Sequence, residues 1–433
     1  MTSTASEPIV SSTVTLAHDA IDEIFVAFDQ SVVDVTGTLI AAPSPNPPGD
    51  ETAPAAVVRE FISRHGLPEP QEVSREPHRP NLLLTIEGAL PGPHLGVCGH
   101  LDTKPAGDAI DLWKTNPLGP VIVGDRLYGL GSTDMKGAIA AMLHAAIVLN
   151  ETRHHLRGDV TFAFTADEEY GSLFGAHHLV QVGALDVDAM ILGEPSGIHA
   201  DWDALRTVSR GCACFRIILR GTQMHSSISD LFSAVSAVEA MGRVMSEFRK
   251  HFRPRFTPHP LCPSGPTINI GVRAEGGVGY GVTPGYAEFL SDVRLVPGMI
   301  KDEFIADIES ALDKCQGVLN GAELTLDFDP EIGWSDATEI EANHPAVVAA
   351  ELASQRVLGH PMPLAYFPGG TDAIAFQAIA GIPTVAAFGP GQLPLAHGPN
   401  EWVSCSSLRQ AMRMYAHTAL AYGLLGSGGA DRS

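Results

Sequence analysis

Basic side chains are scarce in this sequence. Its 433 residues include 27 lysines and arginines against 50 aspartates and glutamates, a formal net charge of −23. A chain so short of positive charge points away from nucleic acid and anionic membranes, since both require a basic footprint. A cation site would use only a few of the fifty carboxylates, so most belong to a solvated surface. No apolar run reaches the ~18 residues of a membrane span. Residues 1–20 (MTSTASEPIVSSTVTLAHDA) have neither a basic start nor a continuous apolar core, so no signal peptide is expected. The six cysteines, Cys98, Cys212, Cys214, Cys262, Cys315 and Cys405, show no framework spacing. Reduced thiols in a cytoplasmic protein are the expectation. Internal repeats and low-complexity linkers are missing too.

What is present is an ordinary globular composition, 45% hydrophobic and 18% charged, with length enough for two domains. A helix is expected over 18–30, then a Pro-rich loop over 42–51 (APSPNPPGDE) and an amphipathic helix ending near Gly66. Residues 81–87 and 95–99 read as strands. The small-residue run 137–149 reads as a buried helix, apolar on nearly every face. Strands at 159–165 and 189–192 flank a helix at 175–182. Strands alternating with helices predict an α/β domain with a largely parallel sheet.

From about residue 206 the rhythm changes. Strands at 212–221, 267–274, 287–295 and 323–328 are interleaved with helices at 231–252 and 301–315. That β-α-β-β-α-β order is ferredoxin-like, and a complete unit of this kind should form a separate lid-like domain. The α/β pattern resumes with helices at 344–358, 371–380 and 406–425 and strands near 364–367 and 384–388. The tail from Gly426 is expected to be disordered. The domains are therefore drawn as 1–205 with 330–433, and an inserted 206–329.

Chemistry-bearing residues gather at one topological place, the carboxyl ends of the strands, where open parallel sheets bind ligands. His100 and Asp102 in GHLDT end one strand, spaced so that an imidazole is backed by a carboxylate. Glu168 and Glu169 end the DVTFAFT strand, and Glu194 ends the AMIL strand. Asp134 lies in the GSTDMKG turn before a helix, and His397 in LAHGPNE after TVAAF. Singly, each has a plainer reading. His100-x-Asp102 makes a hydrogen-bonded turn, Asp134 a helix N-cap, and Glu168-Glu169 a solvated acidic pair. Jointly, two imidazoles with several carboxylates suit Zn²⁺, with Co²⁺ or Mn²⁺ also accommodated.

The blocks GHLDTKPAG, YGLGSTDMKGAIAAM, ADEEYGS, GEPSG and HGPNE resemble those of the dinuclear zinc amidohydrolases and peptidases. That family includes acetylornithine deacetylase, succinyl-diaminopimelate desuccinylase, carboxypeptidase G and aminoacylase. The resemblance covers nearly the whole chain, in the family's order. It implies that Asp134 bridges two divalent metal ions, His100 and Glu194 completing one and Glu169 and His397 the other. Asp102 would orient His100, and Glu168 would be the general base. Glu194 resembles the deacetylase and desuccinylase branch, where other branches use aspartate. In such sites two metals lower the pKa of a shared water and polarise the scissile carbonyl.

In the inserted region, His225 of GTQMHSS matches the family's lid histidine, implying an oxyanion donor that reaches a partner's active site in a homodimer. A strand-end histidine bonded to backbone is its plainer reading. Arg294 of DVRLVPG resembles the substrate-carboxylate arginine, or is a surface arginine. Gly369, Gly370 and Thr371 of FPGGTDA resemble the backbone clamp on the substrate carboxylate, or form a plain Gly-rich N-cap. One departure stands out: family lids commonly carry Asn-Val-Val-Pro or a close variant where this chain has Gly281-Val282-Thr283-Pro284. The resemblance thus implies a metal-dependent amidohydrolase acting on an N-acyl amino acid or short peptide with a free carboxylate. Acetylornithine deacetylase, succinyl-diaminopimelate desuccinylase, a dipeptidase or carboxypeptidase, and a non-catalytic metal-binding relative are the alternatives.

Overall fold

The structure, a computed structural model, describes residues 18–330 and 333–426. The 427–433 tail lies outside the described residues. The chain divides into two compact units. The first comprises residues 1–208, 339–367 and 371–433, and the second residues 209–338 and 368–370.

In chain order the described residues of the first unit open with a helical segment, His18–Phe28, where a helix over 18–30 was expected, then α1 (Ser31–Ala41) and α2 (Thr52–Arg64), followed by β1 (Gln71–Ser74), β2 (Pro80–Ile86) and β3 (Leu95–His100). Then come α3 (Gly137–Glu151), β4 (Val160–Thr165) and β5 (Ala189–Leu192). The second unit supplies β6 (Cys212–Arg220), α4 (Ala237–His251), β7 (Thr267–Gly276), β8 (Tyr286–Arg294), α5 (Lys301–Asp313) and β9 (Glu323–Phe328). The first unit closes with α6 (Pro345–Leu358), β10 (Thr384–Val385) and α7 (Cys405–Gly426).

The first unit's main sheet has the order β1-β2-β4-β3-β5-β10. β3 pairs in parallel with β4 and β5, and β5 with β10. β2 runs antiparallel to both β1 and β4. The sheet is therefore mixed, a correction to the largely parallel sheet expected. The physical reason is the chain's connections. Helical crossovers join β3 to β4 and β4 to β5, which makes parallel neighbours, whereas the short turn after β1 permits only an antiparallel return.

β3, β4 and β5 are buried at every position, as strands covered on both faces must be. α3 is buried from Gly137 to Leu149. It packs against β2, β3 and β4 and also against α7. Ala138, Ala140, Ala141, Ala145 and Ala146 let the backbones approach closely, while Met142, Leu143, Ile147 and Leu149 fill the space between. Each of these larger side chains contributes about 1.5–3 kcal/mol relative to exposure.

The second unit's sheet has the order β7-β8-β6-β9, all antiparallel, a β-α-β-β-α-β arrangement of ferredoxin-like type. On β6, Ala213, Phe215, Ile217 and Leu219 are buried while Cys212, Cys214 and Arg216 face the other side. Phe215, Phe248, Phe252, Phe289 and Phe304 form the centre of this unit's core. α4 starts at Ala237, six residues later than expected. Ser236 caps it by accepting the Glu239 N–H at 3.3 Å, which leaves Leu231 and Phe232 exposed before it. All six cysteines are free thiols, with the Cys212 and Cys214 sulfurs 3.4 Å apart.

No single helix among the described residues is long and apolar enough to cross a membrane. A bent pair, His18–Phe28 with Ser31–Ala41, matches by length and composition alone. Ile21, Phe25, Val32, Val33, Leu39 and Ile40 of that pair are buried in the first unit's core.

Candidate metal centre and active site

Three adjacent parallel strands end on one edge of the first unit's sheet. His100 is the last residue of β3. Glu168 and Glu169 occupy a 3₁₀ turn just past β4, and Glu194 follows β5 by two positions. Asp134 lies in the turn before α3, between Gly131 and Gly137. Gly131 has φ +77°, and a Cβ there would stand 2.5 Å from the Thr103 methyl, so the turn requires glycine. His397 comes from the loop before α7 and holds a left-handed φ of 61°, an unfavourable conformation of the kind that collects at functional sites.

Asp134 stands between the two imidazoles. Its Oδ1 is 3.0 Å from His100 Nε2 and its Oδ2 is 3.2 Å from His397 Nε2. Glu169 Oε2 lies 3.0 Å from His397 Nε2. Glu194 Oε1 and Glu168 Oε2 lie 3.8 and 4.0 Å from His100 Nε2. His100, Asp134 and Glu169 bring ligand atoms within 4.8 Å of one another, and so do His100, Glu168 and Glu194.

Behind these residues is a second set of polar contacts. The His100 Nδ1–H donates to the Asp102 backbone carbonyl at 3.0 Å, with the Asp102 carboxylate 3.5 Å away. That carboxylate accepts the N–H groups of Glu168 and Glu169 at 3.2 and 3.1 Å. It also accepts the Asn46 amide at 2.8 Å, and the same amide nitrogen reaches Asp167 at 2.9 Å. Arg79 is buried against Asp167 and Glu51, at 2.5 and 2.8 Å. Ser172 and Thr165 donate to the buried Asp372 carboxylate at 2.5 and 3.3 Å. Glu401 accepts the N–H groups of Gly131, Thr133 and Asp134. Asn46, Arg79, Asp167, Asp372 and Glu401 were not singled out from the sequence. HGPNE and the Pro-rich loop were visible there, but not what their side chains touch.

The electrostatics follow from burial and crowding. Burial, then the Glu194 charge, pushes the Glu168 carboxyl well above its ordinary range. Burial and Asp134 do the same to Glu194. Burial opposes a charge on His100, but its contacts with Asp102 and Asp134 drive it well above the usual imidazole value. Hydrogen bonds to Asp134 and Glu169 push His397 up to about 10. Burial would raise Asp134, yet the two imidazoles hold it below the usual carboxylate range. Fully ionised, Asp134, Glu168, Glu169 and Glu194 would carry more negative charge than His100 and His397 could neutralise, which is why crowding and burial favour a proton on Glu168 and Glu194. An oxygen-rich set with two imidazoles, built this way, fits divalent cations. Lys104 stands at its rim, half-buried, with Nζ 3.4 Å from Glu169 Oε2.

The remaining sequence candidates lie elsewhere in the chain. His225 is exposed at the end of a two-residue strand, and its Nδ1 accepts from the Ser227 N–H and hydroxyl at 3.2 and 2.8 Å. Arg294 ends β8, directly opposite Cys212, with its nearest carboxylate Asp292 at 3.7 Å. Both belong to the second unit, as do Gly369 and Gly370. The Gly369 carbonyl accepts from Arg210 N–H at 3.0 Å. Thr371, in the first unit, caps Ala373 N–H at 3.3 Å, ahead of a short π-type turn, Ile374–Ile379.

The model of the family described as Peptidase family M20/M25/M40 matches residues 96–421. A succinyl-diaminopimelate desuccinylase from Colwellia psychrerythraea is 30% identical over 335 residues, 74% of this chain and 77% of that protein. The solved structure of the dipeptidase Dug1p from Saccharomyces cerevisiae superposes with a TM-score of 0.73 at 17% identity, covering 95% of this chain and 98% of that one. The metallo-carboxypeptidase Sso-CP2 from Sulfolobus solfataricus gives 0.72 at 20% identity, covering 91% and 99%.

Proposed function

The chain belongs to peptidase family M20/M25/M40 and is a hydrolase of amide or peptide bonds, and from that premise we propose that it cleaves an N-acyl amino acid or short peptide bearing a free carboxylate. The observation that carries the reading is the placement of Asp134 with one oxygen toward each imidazole, with Glu168 4.0 Å from His100. His100, Asp134 and Glu194 would hold one divalent ion, and Asp134, Glu169 and His397 a second, Zn²⁺ being the best match to these donors. When bound, two such ions lower the pKa of water and polarise a carbonyl.

The chain's own residues do the rest. Glu168 takes a proton from the attacking water and later gives it to the departing amine, which leaves poorly without it. Its raised pKa suits a group that must hold that proton between the two steps. Asp102 fixes the base by accepting the N–H groups of both Glu168 and Glu169. Arg294 and the 369–371 loop would receive the substrate carboxylate, and His225 would donate to the oxyanion. A homodimer through the second unit is supported by its exposed Leu231, Phe232, Val278 and Tyr280. Six free thiols suit a reducing cytoplasm. The 30% identity to a desuccinylase favours N-succinyl substrates as the second reading.

The test is hydrolysis by metal-stripped protein reconstituted with Zn²⁺, Co²⁺ or Mn²⁺. N-acetyl, N-succinyl and aromatic N-acyl amino acids and dipeptides would be compared, each also as its carboxyl amide. We expect free acids to be cleaved and their amides spared. Equal cleavage of both sinks the roles of Arg294 and residues 369–371.

A further inference from the structure

Glu401 is 2% exposed and lies under the turn that carries Asp134. Its Oε1 accepts the N–H groups of Thr133 and Asp134 at 2.8 and 3.1 Å, and its Oε2 that of Gly131 at 2.9 Å. Its backbone carbonyl accepts the Gly129 N–H at 3.0 Å. The next residue reinforces the contact, since the Thr133 hydroxyl donates to the Trp402 carbonyl at 2.6 Å. Three buried N–H groups that would ordinarily be met by helix or sheet partners are met here by one carboxylate.

Glu401 has no ion-pair partner among the described residues. The buried Lys136 ammonium goes instead to the Ala42 carbonyl at 2.7 Å. What Glu401 touches is thus the backbone of residues 129–134, and through the chain it is four positions from His397. Asp134 and His397 meet at 3.2 Å, one held by hydrogen bonds to Glu401 and the other by the covalent chain leading to it.

We infer that Glu401 is a positioning residue that sets the spacing of Asp134 and His397, and so the geometry of the ion these two share. The inference rests on the reading of both as ligands. Glutamine at this position would accept with one oxygen only and turn an N–H₂ donor against the Gly131 N–H, a buried clash of two donors.

The test uses the full chain, stripped with chelator and titrated with Co²⁺ while its visible absorption is followed. We expect the wild type to bind two equivalents. Glu401→Gln should bind one of the two at least ~10-fold more weakly, the size typical of losing a group that orients ligands, with a changed Co²⁺ spectrum. Val58→Ala, which truncates a buried side chain in α2, serves as an equally folded but destabilised control and should keep the wild-type affinity and spectrum. Should Glu401→Gln not fold, Glu401→Asp, which withdraws the carboxylate by one methylene, is held to the same expectation. Wild-type affinity and spectrum in the Glu401 variant overturn the inference while leaving the ligand assignment intact. Equal weakening in Val58→Ala overturns it as well, because general loosening then explains the loss. A wild type that binds no Co²⁺ overturns the ligand assignment and this inference together.

Discussion

Glu168 and Glu169 are sequence neighbours with different surroundings. Glu169 faces His397 at 3.0 Å and Lys104 at 3.4 Å, whereas the nearest cationic partner of Glu168 is His100 at 4.0 Å. That difference separates a ligand from a base. Glu168→Ala should retain wild-type metal content by elemental analysis and lose at least ~10³ in kcat, as removal of a single general acid–base does. Metal lost together with activity counts against the assignment. The residues around this pair divide by how they were recognisable. His100, Glu194 and His397 follow apolar runs and Asp134 precedes one, and such runs are visible in one dimension. Asn46 and Glu401 are defined by partners 56 and 270 positions away, and no local pattern announces a distance of that kind. Arg79 looks like any arginine until it is found buried between Glu51 and Asp167, where a lost partner would leave a charge stranded.

Among the elements, α3 was readable because nothing but a buried helix explains the run 137–149, small or apolar at every position except His144. α1 was not, since Val32, Val33, Val35 and Thr36 are β-branched and weak helix formers, and only packing in the core makes the segment helical. β1, four residues of QEVS with its outer half exposed, carries too little pattern to announce a strand, and missing it concealed the antiparallel edge. For α4 the opposite happened. Leu231 and Phe232 extended the apolar pattern backward, while the signal that decides the start is the capping pair Ser236 and Glu239. α3 also contains a titratable group with a cost. His144 is fully buried, donates from Nδ1 to Ala140 at 2.7 Å and sits 2.9 Å from the Ser31 hydroxyl. Burial lowers its pKa to about 4. Because the unfolded chain binds the proton near 6.5, the stability this residue contributes is complete above that pH and is lost as pH falls from 6.5 toward 4. By pH 4.5 the loss is about 2–3 kcal/mol. His144→Leu should therefore lose less stability than wild type between pH 7.5 and 4.5 in urea unfolding. Parallel pH profiles would rule His144 out as an acid-sensitive point.

At the scale of the molecule, the two cores are built differently from the chain. The second unit's core draws on residues within 213–334, nearly one continuous stretch. The first unit's core runs from Ile21 to Tyr422 and includes α7, which packs on α3 and α6. Expressed alone, residues 209–338 should melt cooperatively by circular dichroism, whereas a chain ending at residue 404 should keep that transition and lose the one belonging to the first unit. A second cooperative transition in the 404-residue chain, beyond that of residues 209–338, would mean that α7 is dispensable to the first unit's core. This division has a counterpart in time. A ribosome finishes the inserted unit while the last strand and closing helix of its host are still unwritten. At synthesis rates of roughly 5–20 residues per second, α7 follows after an interval on the order of ten seconds. For that interval α3, buried from Gly137 to Leu149 in the finished fold, waits without the cover of α7. The nascent chain is then at its most adhesive, and it is there that a chaperone would have most to do.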